Sequence, residues 1–401
     1  MSRQRLEVAA VIRQHEERLL ARYGRKLSAR QRRALRDIGS CRTALLGGHI
    51  EQCDSCWQQR IAYNSCRNRH CPKCQSTARD RWLQARAAEL LPVRYSHVVF
   101  TVPQQLAALA FANQRLIYRL LFDAVSRALL ELAADPRRLG ASLGFFAVLH
   151  TWSQRLLYHP HIHCVVPAGG LSLDGSRWIS CRRNFFLPVQ PLSRLFRGKL
   201  LAGLRRAFAN GEFEFPAGLA ELAEPRRFDA WLRGLRKTEW VVYAKRPFKR
   251  PAHVLQYLAR YTHRVAISNG RLVSLADGRV RFRCRDSKHN NRIGEMSLDA
   301  VEFLRRFLLH VLPRGFVKIR HFGWMANRQR SAALARCREL LSAGAQAGDS
   351  VTLLTGEQRL AAERRCPLCR QGLLRIVEWL SAAQLLIRQP QLASPVPLDS
   401  S

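Results

Sequence analysis

Apolar positions along the chain follow two periods, one near 3.6 and one of 2, and the switches between them mark out its elements. In residues 1–40, Val8, Val11, Ile12 and Leu19 recur at helical spacing among Arg and Glu, which predicts a helical lead-in. A further helix is expected from Arg79 to Pro92, then a strand at residues 95–102 (YSHVVFTV) ended by Pro103. Residues 104–132 carry a long helical pattern that breaks at Asp135-Pro136. Residues 144–154 and 161–167 read as two paired strands, followed by a hairpin over residues 171–180 that turns at Asp174-Gly175.

The second half continues in the same manner. Residues 191–208 and 225–236 read as basic helices, residues 239–244 as a strand, and a short helix starts at Pro251. Residues 263–285 read as strands turned at Asn269-Gly270 and Asp277-Gly278. Residues 297–311 carry a helical stripe of Leu298, Val301, Leu304 and Leu308. Strands turned by hairpins and mixed with helices predict an α+β fold built on an antiparallel sheet, not a doubly wound parallel one. The linear division expected is a helical segment at 1–40, a cysteine-rich zinc-binding module at 41–80, a catalytic domain at 81–330, and a helical extension at 331–401 whose tail from Ser394 is disordered.

Charge narrows the partners. The 401 residues hold 67 Lys and Arg against 29 Asp and Glu, a formal net charge of +38. That excess repels itself in a compact state unless a polyanion neutralises part of it, and nucleic acid is the polyanion expected. An anionic membrane surface would call for one basic amphipathic stretch, whereas the charge here runs from Arg3 to Arg388. No signal peptide and no apolar run of membrane-spanning length are read, so a soluble cytoplasmic protein without a membrane partner is expected. Twelve cysteines in a reducing compartment point to metal ligands or buried thiols instead of disulfides.

The most specific chemistry lies at His159-Pro160-His161-Ile162-His163. In a strand, His161, His163 and Val165 share one face while Ile162, Cys164 and Val166 share the other. The second set is apolar and belongs in the core, so the two imidazoles are expected together on an accessible face, as a pair that suits a divalent cation. With the preceding turn centred near Leu157, Gln154 lies opposite His161 and His150 opposite Val165. Both are then on the ligand face, and Gln154 is the expected third ligand, its amide oxygen suiting magnesium or manganese.

The helix from Pro251 places Tyr257 and Tyr261 four residues apart on one face, with His253 one turn earlier. Lys245, Arg246, Lys249 and Arg250 crowd its start, where backbone N–H groups also favour phosphate, and Arg260 and Arg264 continue the basic surface expected to contact DNA. A phenol with a pKa of ~10 attacks phosphate only when it is deprotonated as the phosphate is polarised. A cation held by His161 and His163 supplies that polarisation, so a metal beside displayed tyrosines suggests transesterification through a phosphotyrosine.

Cys53-x-x-Cys56 and Cys71-x-x-Cys74, fourteen residues apart, have the spacing of a structural zinc site. Cys41, His49, Cys66 and His70 are candidates for a second site, and Arg60, Arg67, Arg69 and Lys73 interleave the module with charge suited to phosphates. Cys366-Pro-Leu-Cys369 is half of such a motif with no evident partner pair, and reads as structurally minor.

HPHIH, followed about ninety residues later by YLARYTHRVAISNG, resembles the rolling-circle insertion-sequence transposases of the two-tyrosine His-hydrophobe-His (HUH) class, with the insertion-sequence ninety-one family the closest fit. YNSCRNRHCPKC (residues 63–74) and FVKIRHFGWMANR (residues 316–328) resemble that family's zinc-binding and downstream segments. The resemblance spans roughly residues 41–328. It implies an HUH-type antiparallel sheet with flanking helices, preceded by a zinc-ribbon-like module. It further implies His161 and His163 as metal ligands, Tyr257 and Tyr261 as nucleophiles, single-stranded element ends and target as substrate, a catalytic magnesium or manganese, and structural zinc. One tyrosine would open the donor strand and the other serve a later transfer. An HUH replication initiator or relaxase shares this chemistry. A zinc-containing DNA-binding regulator explains charge and cysteines but not the His pair or the tyrosines, a tyrosine recombinase needs no metal, and acids are too scarce for a carboxylate-triad transposase.

Overall fold

The computed structural model describes residues 6–182, 186–244, 247–248, 254, 266–286, 292–342 and 364–388, except for the side chains of residues 76–81 and 84. Its strands in chain order are β1 (Gly48–Cys53), β2 (Gln59–Tyr63), β3 (Tyr95–Thr101), β4 (Ala141–Ser142), β5 (Gly144–Trp152), β6 (Tyr158–Pro167) and β7 (Gly169–Ser172). They continue with β8 (Trp178–Ser180), β9 (Val242–Ala244), β10 (Leu272–Ala276), β11 (Arg279–Asp286), β12 (Arg292–Asp299), β13 (Ile319–Gly323) and β14 (Leu374–Leu380). Every strand pairing among the described residues is antiparallel, and helices flank the sheets, so the fold is α+β. Among the described residues no helix is long and apolar enough to cross a membrane.

The chain forms two compact units that do not follow the linear division expected from composition: one takes Met1–Ala78, Ile267–Val311 and Val351–Ser401, the other Arg79–Ala266 and Leu312–Ser350. In the first, the helices Val8–Tyr23, Ala29–Gly39 and Ala300–Leu308 join the meander β10-β11-β12. Their apolar stripes (Val8, Ile12, Leu19, Leu35, Phe303, Leu304 and Phe307) are buried with Val280 and Phe282 of β11. Local chemistry starts these helices where they start. Ser28 and Gln31 form a reciprocal capping box. Asp299 accepts from the backbone N–H of Val301 and Glu302, at 2.9 and 3.2 Å, so the last helix begins at Ala300 while Ser297 and Leu298 stay in β12. Asp277 and Gly278, both with positive φ, make the β10–β11 turn that the sequence predicts. The same unit carries a second sheet, β14-β1-β2, with a small apolar cluster of Ala44, Ile50, Leu380 and Leu385 at one end.

The second unit is built on the five-stranded sheet β13-β5-β6-β3-β9, in which β6 is central. One face is lined mainly by apolar side chains: Val98 and Phe100, Phe145, Ala147 and Leu149, and Ile162, Cys164 and Val166 are all buried. Helices Gln114–Ala134 and Val189–Ala209 cover it, with Phe196 edge-on to Phe100 at 5.1 Å and Phe122 6.2 Å from Phe322. The long helical pattern of residues 104–132 is interrupted at Asn113, which separates Ala107–Ala112 from Gln114–Ala134. On the opposite face, Phe146, Val148 and Val165 join Leu91, Tyr95, Val254, Trp324, Leu334 and Cys337 in one cluster. The β4-β7-β8 sheet completes the unit around the Asp174-Gly175 turn.

Strand β13 approaches β5 only because Gly323 faces Gly144. Gly323 has φ +59°, and a Cβ there would lie 1.8 Å from the Leu143 carbonyl oxygen. Both the left-handed backbone and the clash penalise any side chain. Gly323→Ala is expected to destabilise the protein by ~2 kcal/mol or more, read as a fall in unfolding midpoint; a midpoint equal to that of the parent would show that the backbone here is not constrained.

Candidate metal centres

The site's first element is the central strand. His161 and His163 alternate with Ile162 and Cys164, and the buried apolar residues take the helix-covered face, as the parity predicts. The His face is not open to solvent along its length, because Val165 is 1% and His163 8% exposed beneath the cluster that Leu334 and Cys337 complete. His161, towards the end of the sheet, is only partly buried.

The third imidazole comes from β5. His150 pairs directly with His161 and Val148 with His163, so one ring nitrogen from each of His150, His161 and His163 lies within 4.8 Å of the others. Gln154 is not in this group. It sits exposed in the turn after β5, four residues away from the pairing that the sequence suggests. The cause is local. Leu156 takes φ +59° and is buried, and Tyr158 is buried with its hydroxyl 2.7 Å from that of Tyr118. Burial of these two side chains makes Tyr158 part of β6, although Pro160 follows it. A register shift between His150 and Trp152 accommodates the proline, which has no N–H for the ladder.

The rings are oriented by their neighbours. His161 Nδ1 lies 2.7 Å from the carbonyl oxygen of His159, so Nδ1–H donates and Nε2 carries the lone pair. His163 Nδ1 lies 2.8 Å from Nε2 of His97, a buried histidine of β3, with the two rings stacked at 5.0 Å. Use of His163 Nε2 as a ligand places the shared proton on His163 Nδ1, donated to His97, the arrangement that fixes metal-binding histidines elsewhere. His150 stacks on Trp152 at 4.5 Å. Burial holds the His161 pKa down, to about 4, and that of His163 well below its ordinary value, so both rings are neutral near pH 7 and able to ligate. Burial also lowers His159, whose Nδ1 lies 3.3 Å from Gln104 Oε1 and which stands outside the three-histidine group.

The cysteines separate differently from the expected set. Cys53 and Cys56 do not share a site with Cys71 and Cys74. Cys71 and Cys74, at the start of the helix Pro72–Ala87, join Cys41 and Cys66, whereas Cys53 and Cys56 join Cys366 and Cys369. Cys74 Sγ lies 3.5 Å from Cys41 Sγ and 3.6 Å from Cys66 Sγ. Four zinc–sulfur bonds of ~2.3 Å give a tetrahedral edge of ~3.8 Å, so the spacing fits zinc. Thiol hydrogen bonds from Cys41, Cys66 and Cys71 favour the Cys74 thiolate, the form that binds metal. His49 and His70 lie outside both groups: His49 faces Glu51 at 3.5 Å, and His70 Nδ1 lies 3.1 Å from Asn68 Oδ1. Arg60 and Lys73 are each paired at 2.6 Å, with Glu51 and Glu7, so they are less available for phosphate than the exposed Arg67.

Tyr257 and Tyr261, with Lys245, Arg246, Lys249, Arg250, Arg260 and Arg264, lie outside the described residues. The sequence reading missed His97 as a neighbour of the site and set His150 aside for Gln154. A histidine inside the otherwise apolar strand YSHVVFTV, on the parity of the ligand face, was the available signal for His97.

A strongly basic chain in which three imidazoles converge on an antiparallel sheet, with cysteines grouped as zinc ligands would be, has the make-up of a zinc-containing protein that acts on DNA. A family model described as "Putative transposase" matches residues 144–332, and one described as "Transposase zinc-binding domain" matches residues 11–102. The chain is 52% identical over 385 residues to the protein named "Putative transposase y4qJ" of Sinorhizobium fredii, covering 94% of this chain and 96% of that one. It is 29% identical over 323 residues to the transposase for insertion sequence element IS801 of Pseudomonas savastanoi pv. phaseolicola, covering 75% and 72%. No solved structure matches it. The chain belongs to the insertion-sequence ninety-one family of transposases and carries that family's N-terminal zinc-binding domain. It is therefore an enzyme of DNA transposition.

Proposed function

We propose that the protein nicks single-stranded DNA at the ends of an insertion sequence and transfers the cut strand by a rolling-circle route, with Tyr257 and Tyr261 as nucleophiles. The observation that carries this reading is the convergence of His150, His161 and His163 on one face of the central sheet. Val254 supports it further: three residues before Tyr257, it is buried with Val148 and Val165, which flank His163 on that same face.

His150, His161 and His163 would hold the catalytic cation, with His97 and the His159 carbonyl setting ring orientation. A donor set of three imidazoles favours manganese over magnesium, which prefers oxygen ligands. When bound, the cation supplies Lewis-acid polarisation of the scissile phosphate. The tyrosine oxygen forms a bond to phosphorus as the bond to the 3′ oxygen breaks. The phenolic proton is lost, the 3′ oxygen leaves as a hydroxyl, and the 5′-phosphotyrosine stores the bond for rejoining. Lys245, Arg246, Lys249, Arg250, Arg260 and Arg264 are assigned to the DNA backbone, and Cys41, Cys66, Cys71 and Cys74 to a structural zinc.

The test uses the full chain with manganese and a labelled single strand bearing the element's end. A denaturant-stable protein–DNA adduct is expected when the label lies 3′ of the cut, in the fragment whose 5′ phosphate the tyrosine holds, and a label 5′ of the cut should be released on a strand ending in a 3′ hydroxyl. Tyr257→Phe with Tyr261→Phe should abolish it and leave strand binding intact. Adduct formation that persists in the double variant would overturn the nucleophile assignment.

A further inference from the structure

Cys366 and Cys369 lie beyond both matched family segments and more than three hundred residues from Cys53 and Cys56, yet the fold gathers all four. The means is backbone pairing. β14 runs antiparallel to β1 from Gly48↔Leu380 to Cys53↔Leu374, which brings the loop before β14 against the loop after β1. Asp54 fixes the junction: its N–H donates to the Leu373 carbonyl at 3.1 Å, and its Oδ1 accepts from the Leu373 N–H at 2.7 Å.

The sulfurs are placed as a tetrahedral ion requires. Cys53 Sγ lies 3.7 Å from Cys369 Sγ and Cys56 Sγ 3.7 Å from Cys366 Sγ, close to the ~3.8 Å edge of a zinc–thiolate tetrahedron. Each loop also turns backbone N–H groups onto its own sulfur. Those of Ser55 and Cys56 reach Cys53 Sγ at 3.4 and 3.5 Å, and that of Gly372 reaches Cys369 Sγ at 3.4 Å. Such donors neutralise part of the charge of a ligating thiolate. Gly372 provides an independent sign of the close approach, because a Cβ there would meet Cys53 Sγ at 2.4 Å and Ser55 Cβ at 2.6 Å. Little apolar packing would otherwise hold the junction: its cluster is Cys53, Cys366 and Leu374 with Cys369 beside them.

We infer that Cys53, Cys56, Cys366 and Cys369 bind a second zinc ion, distinct from that of Cys41, Cys66, Cys71 and Cys74, and that this ion fastens the C-terminal strand β14 to the N-terminal zinc-binding domain. The domain is thus completed by a segment from the far end of the chain.

Elemental analysis of the full chain, purified under reducing conditions, tests this without reference to activity. Two zinc ions per chain are expected in the parent, one in Cys366→Ser with Cys369→Ser, still one when Cys53→Ser is added, and none when Cys71→Ser and Cys74→Ser are added instead. Gly372→Ala should weaken retention of one ion only. One ion in the parent, or two retained in Cys366→Ser with Cys369→Ser, would overturn the assignment. Should the serine variants fail to fold, alkylation of the parent provides the second measurement: Cys366 and Cys369 should be protected until a chelator is added, and labelling at the same rate with and without chelator would overturn it equally.

Discussion

Replacing His161 and His163 together with alanine is expected to lower strand cleavage by about a thousandfold or more, while binding of a single strand stays close to that of the parent. Both parts follow from the geometry. The two rings share one face of the sheet with His150 of β5, and they are neutral near pH 7, so their removal takes away the proposed metal ligands but none of the +38 formal charge that attracts the phosphate backbone. His163 is buried, so thermal unfolding should accompany the assay, to separate a lost site from a lost fold. A milder variant isolates ligand orientation. His97→Phe keeps a stacked ring against His163 but deletes the nitrogen that faces His163 Nδ1 at 2.8 Å. Metal affinity should fall about 10- to 100-fold, with cleavage restored by excess manganese. Undiminished cleavage by the folded double alanine variant in metal-buffered solution would remove the imidazoles from the chemistry.

What the sequence made legible was local. Strand parity assigned Ile162, Cys164 and Val166 to the core and the imidazoles to the opposite face, because a period of 2 is set by the backbone alone. The Asp277-Gly278 turn was likewise readable, since both residues tolerate positive φ. Register was not. Choosing Gln154 over His150 depended on where the β5–β6 turn closes, and that was decided by burial of Leu156 and Tyr158 against residues distant in sequence, Tyr118 among them. The cysteine grouping failed for a related reason. Pairs fourteen residues apart are compatible with one zinc, and spacing carries no information about β14 arriving beside β1. Cys366 and Cys369 looked isolated because their partners lie at the other end of the chain. The C-terminal segment expected to be helical contains β14, whose side chains face a small sheet with little core and so lack a strong apolar alternation.

That small core underlies the second large effect expected. Strands β1, β2 and β14 are backed by Ala44, Ile50, Leu380 and Leu385 at one end and by Cys53, Cys366 and Leu374 at the other. Such clusters bury too few large side chains to order three strands unaided. Structural zinc contributes on the order of 10 kcal/mol per ion, much more than any single contact in the sheet. Removing zinc with a strong chelator under reducing conditions should therefore melt this sheet while the five-stranded sheet, with Phe100, Phe145, Ile162 and Cys164 fully buried, stays folded. Hydrogen exchange reads the two separately. Amides of residues 48–53, 59–63 and 374–380 should lose protection on chelation and regain it when zinc is returned, and those of residues 95–101, 144–152 and 158–167 should be unaffected. Retained protection in the first set would mean that the cysteines are not what orders the sheet. Loss confined to residues 374–380 would instead assign zinc the fastening of β14 alone.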